Sequence, residues 1–149
     1  MDTLFTSCLQ KQEELKILFL ACTSPDARYQ KIIELGKALA PFDPAYKVEG
    51  NIVQGCQSTM YLHSSIENGK ITFTACSEAL ISAGLAALLL YVYNEESPEA
   101  ILKVPATYLQ DLGIHASLTP GRSNGLSSMY LRMKQEALKH LVASSHPSP

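Results

Sequence analysis

Four cysteines, Cys8, Cys22, Cys56 and Cys76, hold most of the reactive chemistry open to this chain. A thiolate can act as nucleophile, metal ligand or redox centre, and its surroundings decide which. No two of the four are spaced as C-x-x-C, so the closely paired ligands of a structural zinc site are missing. Cys8 lies between Phe5 and Leu9 on an apolar helical stripe, and Cys22 sits near the end of the same segment. Both read as small packed hydrophobes. Cys56 is different. It follows Gly55 in a loop between two extended segments, among the polar residues Gln54, Gln57 and Ser58. A glycine allows backbone shapes that lift the next side chain or fold it under. Cys56 is therefore the candidate nucleophile, with an inert buried thiol as the alternative.

A base to activate it is harder to find. The separation from Cys56 to His63 is odd, which puts His63 on the opposite face of a continuous strand. His63 reads as solvent-facing or cross-strand, and His115 and His140 can approach only through the fold. There is no G-x-S-x-G elbow, phosphate loop or paired-carboxylate constellation. A reactive thiol without a base suits sulfur transfer better than hydrolysis, which also needs proton transfer and oxyanion donors. One further segment, Ser117 to Leu126, crowds a proline, two glycines and Arg122 before a long helix. Arg122 is either solvated beside an N-cap at Thr119 or Ser123, or supports an anionic sulfur or a partner's carboxylate.

Composition narrows the setting. With 149 residues, 46% of them hydrophobic, the chain suits a single domain over residues 1–149. Such a chain buries roughly 68–70% of its unfolded surface, enough for a core without disulfide or metal staples. A net charge of -2 and 17% charged residues leave no footprint for nucleic acid and no polybasic membrane patch. The first residues, MDTLFTSCLQKQEELK, lack the basic and apolar regions of a signal peptide. A cytoplasmic location with free thiols is expected.

The elements that must position Cys56 follow from periodicity. A first helix is expected over about Thr3 to Ala21, with Phe5, Cys8, Leu9, Leu15, Leu18 and Phe19 at helical spacing. Ser24-Pro25 caps a second helix that places Tyr29, Ile32, Ile33 and Gly36 on one face and stops before Pro41. Asn51 to Val53 reads as extended and Gln57 to Ile66 as a strand, with Ser58, Met60, Leu62 and Ile66 on one face. Asn68-Gly69 is a hairpin signal, and Lys70 to Ala75 is the return strand. Ser77-Glu78 opens a third helix whose charge-free stretch, Ala79 to Tyr93, would be about 22 Å long. A membrane span needs about 20 residues, so this is expected to be a buried core helix. Ser97-Pro98 starts a short helix, Thr107 to Leu112 forms another closed by Gly113, and a last helix begins near Pro120 to Ser123. Leu126, Met129, Tyr130, Met133, Ala137, Leu138 and Leu141 stripe that last helix, and residues 144–149 are expected to be a disordered tail. The order implies an α+β domain with one small antiparallel β-sheet covered by helices.

Four segments then carry a resemblance: RYQKIIELGKAL (Arg28 to Leu39), VQGCQS (Val53 to Ser58), SEALISAGLAALLL (Ser77 to Leu90) and LTPGRSNGL (Leu118 to Leu126). In this order and spacing, from about Lys11 to Lys139, the chain resembles the SufE family of sulfur-acceptor proteins. The resemblance implies a fold shared with the iron–sulfur scaffold IscU. It implies that Cys56 takes sulfur from the persulfide of a PLP-dependent, SufS-like cysteine desulfurase, stimulates that enzyme and passes sulfur to a SufBCD-type scaffold. The chain would then be a carrier and activator rather than an enzyme, with no cofactor of its own. Thiolate attack on a sulfane sulfur depends on thiolate fraction and access, so no general base is required. By the same resemblance Gly55, Gln57 and Ser58 belong to the acceptor loop, and Cys76, Ser77, Glu78 and Arg122 lie near it and face the partner. Cys76 stands where the family commonly has Asp, Tyr61 where it usually has Trp, and Gly121 where serine is more usual. If Cys76 lies beside the loop it could resolve a Cys56 persulfide, provided the Cα atoms come within about 7 Å. The alternative function is an IscU-like scaffold that binds metal or cluster directly, which needs three converging cysteines with a carboxylate or histidine.

Overall fold

A computed structural model describes residues 5–115 and 118–145. The helices are α1 (Thr6–Leu20), α2 (Pro25–Lys37), α3 (Leu80–Tyr93), α4 (Pro98–Lys103) and α5 (Pro120–Ser145). The strands β1 (Met60–Glu67) and β2 (Lys70–Ser77) form a two-stranded antiparallel sheet, and 3₁₀ turns occupy Pro44–Tyr46, Glu49–Asn51 and Thr107–Leu112. This is the expected α+β class, a small antiparallel sheet covered by helices.

The charge-free run becomes α3, the centre of the molecule. Ten of its residues are buried, among them Leu85, Leu88, Leu89, Val92 and Tyr93. No helix among the described residues is long and apolar enough to cross a membrane. The polar ends of buried aromatics are satisfied: Tyr93 donates to the Val104 carbonyl at 2.7 Å and Tyr108 to the Leu88 carbonyl at 2.8 Å. The helices α2 and α3 touch backbone to backbone at Gly36 and Gly84. Only residues without a Cβ permit this approach.

A lone two-stranded sheet is marginal in water, and here its second edge is covered. The Asn94 side chain accepts from the Phe73 N–H at 2.7 Å and donates to the Phe73 carbonyl at 3.1 Å. The backbone of Glu95 and Glu96 bonds Ile71 on both its groups, at 2.8 and 2.9 Å. Glu96 is buried and ion-paired with Lys11 at 2.6 Å, which ties α1 to the same turn.

Several expected boundaries shift. In α1 the inner line is Cys8, Gln12, Leu15 and Phe19, while Leu9 is 48% exposed because it falls off that line. Asn51 ends a 3₁₀ turn, so only Ile52 and Val53 are extended there. Strand β1 begins at Met60, not Gln57, because residues 57–59 belong to the Cys56 loop. Ile66 is 37% exposed rather than on the buried face with Met60 and Leu62; it sits one residue before the end of β1, beside the hairpin turn. Both turn residues have the expected positive φ, Asn68 at 54° and Gly69 at 78°. Strand β2 runs on through Ser77, so Ser77-Glu78 does not open α3 directly; Ala79 is its N-cap, and the Ser77 hydroxyl accepts from the Ala79 N–H. On α5, Met129, Met133 and Ala137 face inward while Leu138 is 52% exposed, since Ala137 takes the inner place on the 3.6-residue repeat. The helix α5 continues to Ser145, into the segment expected as a tail, and residues 146–149 lie outside the described residues.

A Cβ at position 84 would lie within 2.8 Å of the Ile32 carbonyl carbon. Gly84→Ala is expected to destabilise the protein by about 1–3 kcal/mol through overpacking, although alanine gains about 1 kcal/mol of helix propensity over glycine. Urea unfolding checks this, and an unchanged or raised midpoint would refute it.

Candidate functional site: a sheltered loop thiol

The Cys56 loop is closed at its base by backbone pairing. Ile52 bridges Tyr61, and the Val53 N–H donates to the Met60 carbonyl at 2.8 Å. Gln54 to Thr59 is thus a short loop on a fixed stem. From α5, Arg132 reinforces the stem by donating to the carbonyls of Gly50 and Ile52. Its guanidinium also pairs with Glu136 at 3.4 Å, and Glu136 accepts from the Ser64 hydroxyl at 2.7 Å. His140 Nε2 lies 3.0 Å from the same hydroxyl, so this cluster fixes α5 against β1. His63 stacks on Tyr46 with ring centres 3.5 Å apart and takes no part in the Cys56 site.

The loop tip is held lightly. Gly55 has φ +94°, in the left-handed region that favours glycine. Among the described residues, the one hydrogen bond from the tip to another element is the Cys56 thiol to the Gly125 carbonyl, 3.7 Å and weak. Cys56 is half-buried in a small cavity of ≈ 20 Å³ walled by Ser82, Leu85 and Ala86 of α3, Met60 of β1, and Leu126 and Met129 of α5. Gln57, Gly121, Arg122 and Gly125 complete it, and Arg122 also lies over the Tyr29 ring, 5.9 Å from its centre. No histidine or carboxylate lines the cavity among the described residues. Burial pushes the Cys56 thiol above its ordinary pKa. At neutral pH the resting thiol is protonated and a poor nucleophile until it moves toward water.

Of the other site residues read from sequence, Gly55, Gln57 and Arg122 gather at this cavity or its hinge. Ser58, Cys76, Ser77 and Glu78 line a separate, open hollow of ≈ 570 Å³, together with Lys47, Thr59 and Tyr61. Cys56 and Cys76 therefore open into different hollows, with Gln57 lining one and Ser58 and Thr59 the other. The Cys76 thiol is raised mainly by burial; Lys47 lowers it and Glu78 raises it. All four cysteines are free. No three of His, Cys, Asp and Glu converge as metal ligands among the described residues.

Sequence reasoning missed the part played by α5. Gly125 accepts the thiol hydrogen bond, and the Ser128 side chain occupies the place a Cβ on Gly55 would need. The available signal was the four-residue spacing of Gly121 and Gly125, which puts both on one helix face.

A helix-covered sheet presenting one sheltered loop thiol defines a thiol-bearing α+β domain. Comparison supplies the family. Residues 13–137 match the family described as "SufE: Fe-S metabolism associated domain", and the chain belongs to the SufE family. That places it in iron–sulfur metabolism and bears out the resemblance carried by the four segments. An uncharacterized SufE-like protein of Synechocystis is 32% identical over 124 residues, covering 83% of this chain and 78% of that one. The chloroplastic/mitochondrial SufE-like protein 1 of Arabidopsis thaliana is 33% identical over 129 residues, 86% of this chain. This chain spans 35% of that relative's length. A solution structure of a hypothetical protein from Thermus thermophilus superposes with TM-score 0.74 at 28% identity, covering 89% of this chain and 96% of that one.

Two outcomes follow. Burial raises the Glu136 carboxyl, but the Ser64 hydrogen bond and the charges of Lys139 and Arg132 together outweigh it and leave the pKa below its ordinary value. A carboxyl lowered in the folded state contributes stability above its unfolded pKa and loses it as pH falls through the folded value. Glu136→Gln is expected to cost on the order of 1–2 kcal/mol near neutral pH. The difference from wild type should shrink in acid; a difference independent of pH in denaturation curves would contradict this. Separately, Cys8 is fully buried, with a pKa pushed up to about 11 chiefly by burial. In thiol labelling of the folded protein Cys8 should stay unmodified until denaturant is added, and labelling at the Cys56 rate would count against the fold.

Proposed function

We propose that this protein is a sulfur acceptor that serves a PLP-dependent cysteine desulfurase, with Cys56 as the acceptor. The observation that carries the reading is the Cys56 thiol itself, on a closed-stem loop beside Arg122, in a chain of the SufE family. The Cys56 thiolate attacks the terminal sulfur of the desulfurase's cysteine persulfide. A Cys56 S–S bond forms, the donor S–S bond breaks, and the desulfurase cysteine leaves as a thiolate. Net oxidation state is conserved, so no external oxidant or reductant enters. Clearing the donor frees it for the next cysteine substrate, which is how an acceptor stimulates the enzyme.

The cavity fits the intermediate. A persulfide is prone to oxidation, and apolar walls from Leu85, Leu126 and Met129 limit its exposure between donor and recipient. The onward recipient is a SufBCD-type scaffold that attacks the same outer sulfur. The protein carries no resident cofactor, since PLP belongs to the desulfurase, and four free thiols suit a reducing, cytoplasmic setting. Near-neutral net charge favours a protein partner met through a local surface.

The test is desulfurase stimulation with single Cys→Ser variants. Cys56→Ser should abolish both the stimulation and the gain of one sulfur mass after incubation with desulfurase and cysteine. Cys8→Ser and Cys22→Ser should retain both. Equal stimulation by the Cys56 variant would end the proposal.

A further inference from the structure

Besides Cys56 itself, the polar side chains lining its cavity among the described residues are Gln57, Arg122 and Ser82. Gln57 is exposed, and the Arg122 guanidinium lies over the Tyr29 ring. Ser82 is the one on the core helix. It shares a face of α3 with Leu85 and Ala86, at the spacing i, i+3 and i+4, and the three form one wall. A helical serine often gives its proton to a carbonyl three or four residues back. Ser82 is the third residue of α3, so those two positions, Ala79 and Glu78, precede the helix. The Ala79 backbone is extended, and its carbonyl takes the Ala83 N–H at 3.0 Å. The Ser82 hydroxyl accordingly has no hydrogen-bond partner among the described residues. It does not bond the resting thiol, which donates to the Gly125 carbonyl. The cavity of ≈ 20 Å³ has room for about one water-sized group. A persulfide adds one sulfur to Cys56. It is a stronger acid than its thiol and is anionic near neutral pH. An anion set among Met60, Leu85, Leu126 and Met129 needs a hydrogen-bond donor.

We propose that Ser82 is a binding residue for the transferred sulfur: its hydroxyl donates a hydrogen bond to the outer sulfur of the Cys56 persulfide inside the cavity. The bond exists only in the loaded protein. Ser82 therefore favours the persulfide anion and leaves the resting thiol as it is. A hydrogen bond to an anion is roughly twice as strong as a neutral one, and a donor fixed on the central helix needs no rearrangement to make it. No covalent bond forms or breaks beyond those of the transfer itself. The inference rests on Cys56 being the acceptor. Its test reads sulfur uptake and the behaviour of the loaded sulfur separately, so its failure and the failure of the acceptor reading are distinguishable.

The full chain is loaded with sulfur from sodium tetrasulfide, with no partner protein. The Cys56 thiolate takes one sulfur and trisulfide leaves; mass spectrometry of the Cys56 peptide follows the gain. Trapping with iodoacetamide as a function of pH then gives the titration midpoint of the persulfide, and the same measurement on unloaded protein gives that of the thiol. Ser82→Ala should raise the persulfide midpoint by about one pH unit, a tenfold change, the scale of a hydrogen bond to a charged group. The midpoint of the unloaded thiol should stay where it is, whereas a general change in packing or exposure would move both. Ser82→Thr, which keeps the hydroxyl, should keep the persulfide midpoint of wild type. Arg122 of α5 is the one charged side chain lining the cavity among the described residues; α3 and β1 contribute none, and both variants retain Arg122. Thermal melting of Ser82→Ala should stay near wild type, since alanine is the better helix former. An unmoved persulfide midpoint in Ser82→Ala, equal shifts in loaded and unloaded protein, or equal shifts in the alanine and threonine variants would overturn the proposal and leave the acceptor reading standing. No gain of sulfur at Cys56 would overturn both.

Discussion

The helix from Leu80 to Tyr93 has no charge to offer water, so the other elements are arranged to cover it. The helix α2 reaches it through the contact of Gly36 with Gly84, where the two backbones meet without a side chain between them. The sheet lies against it, and the turn that follows it, Asn94 to Glu96, bends back to close the sheet's free edge. The helix α1 is then pinned to that turn by Lys11. The site depends on the same helix, because Ser82, Leu85 and Ala86 on its first turns form one wall of the Cys56 cavity. A core built to hide α3 therefore also builds the shelter for the thiol.

For the sulfur-acceptor role we propose, that shelter sets two demands on Cys56 against each other. Burial protects a persulfide from oxidation and side reaction. The same burial raises the thiol's pKa and lowers its reactivity. A fixed thiol could meet only one demand. The loop is built in two parts: its stem is anchored by backbone pairing and by Arg132, while its tip rests on α5 through packing and one weak hydrogen bond. Gly55, with its positive φ, sits where the tip leaves the stem.

Much of this was legible in the chain. Helical periodicity located the helices, Asn68-Gly69 located the hairpin, and the missing charges marked α3 as core. The glycine before Cys56 and its polar neighbours singled out that thiol, and Cys8 declared itself as core by its stripe. The failures came where local pattern and tertiary contact disagree. Residues 57–59 alternate like a strand but have no partner strand to pair with, so they belong to the loop. Leu9 and Leu138 are apolar and near the stripe, yet neighbours one position away took the inner places. Cys76, read by resemblance as a neighbour of the loop, lines a hollow with Ser58 and Thr59 of that loop and not the cavity of Cys56.

By itself the sequence determined the α+β class and the central buried helix, marked Cys56 as the candidate among four thiols and carried the resemblance to the family to which the chain belongs. The family is carried by the resemblance of four segments and the rest by composition, period and local spacing, none of which needs a third dimension. Only the tertiary structure decided how Cys56 rests. Its depth in the cavity, the Gly125 carbonyl that accepts its hydrogen bond and the Gln57–Gly121 contact join residues more than sixty positions apart. Whether such residues meet depends on how α5 packs against α3 and the sheet, and no local pattern encodes that.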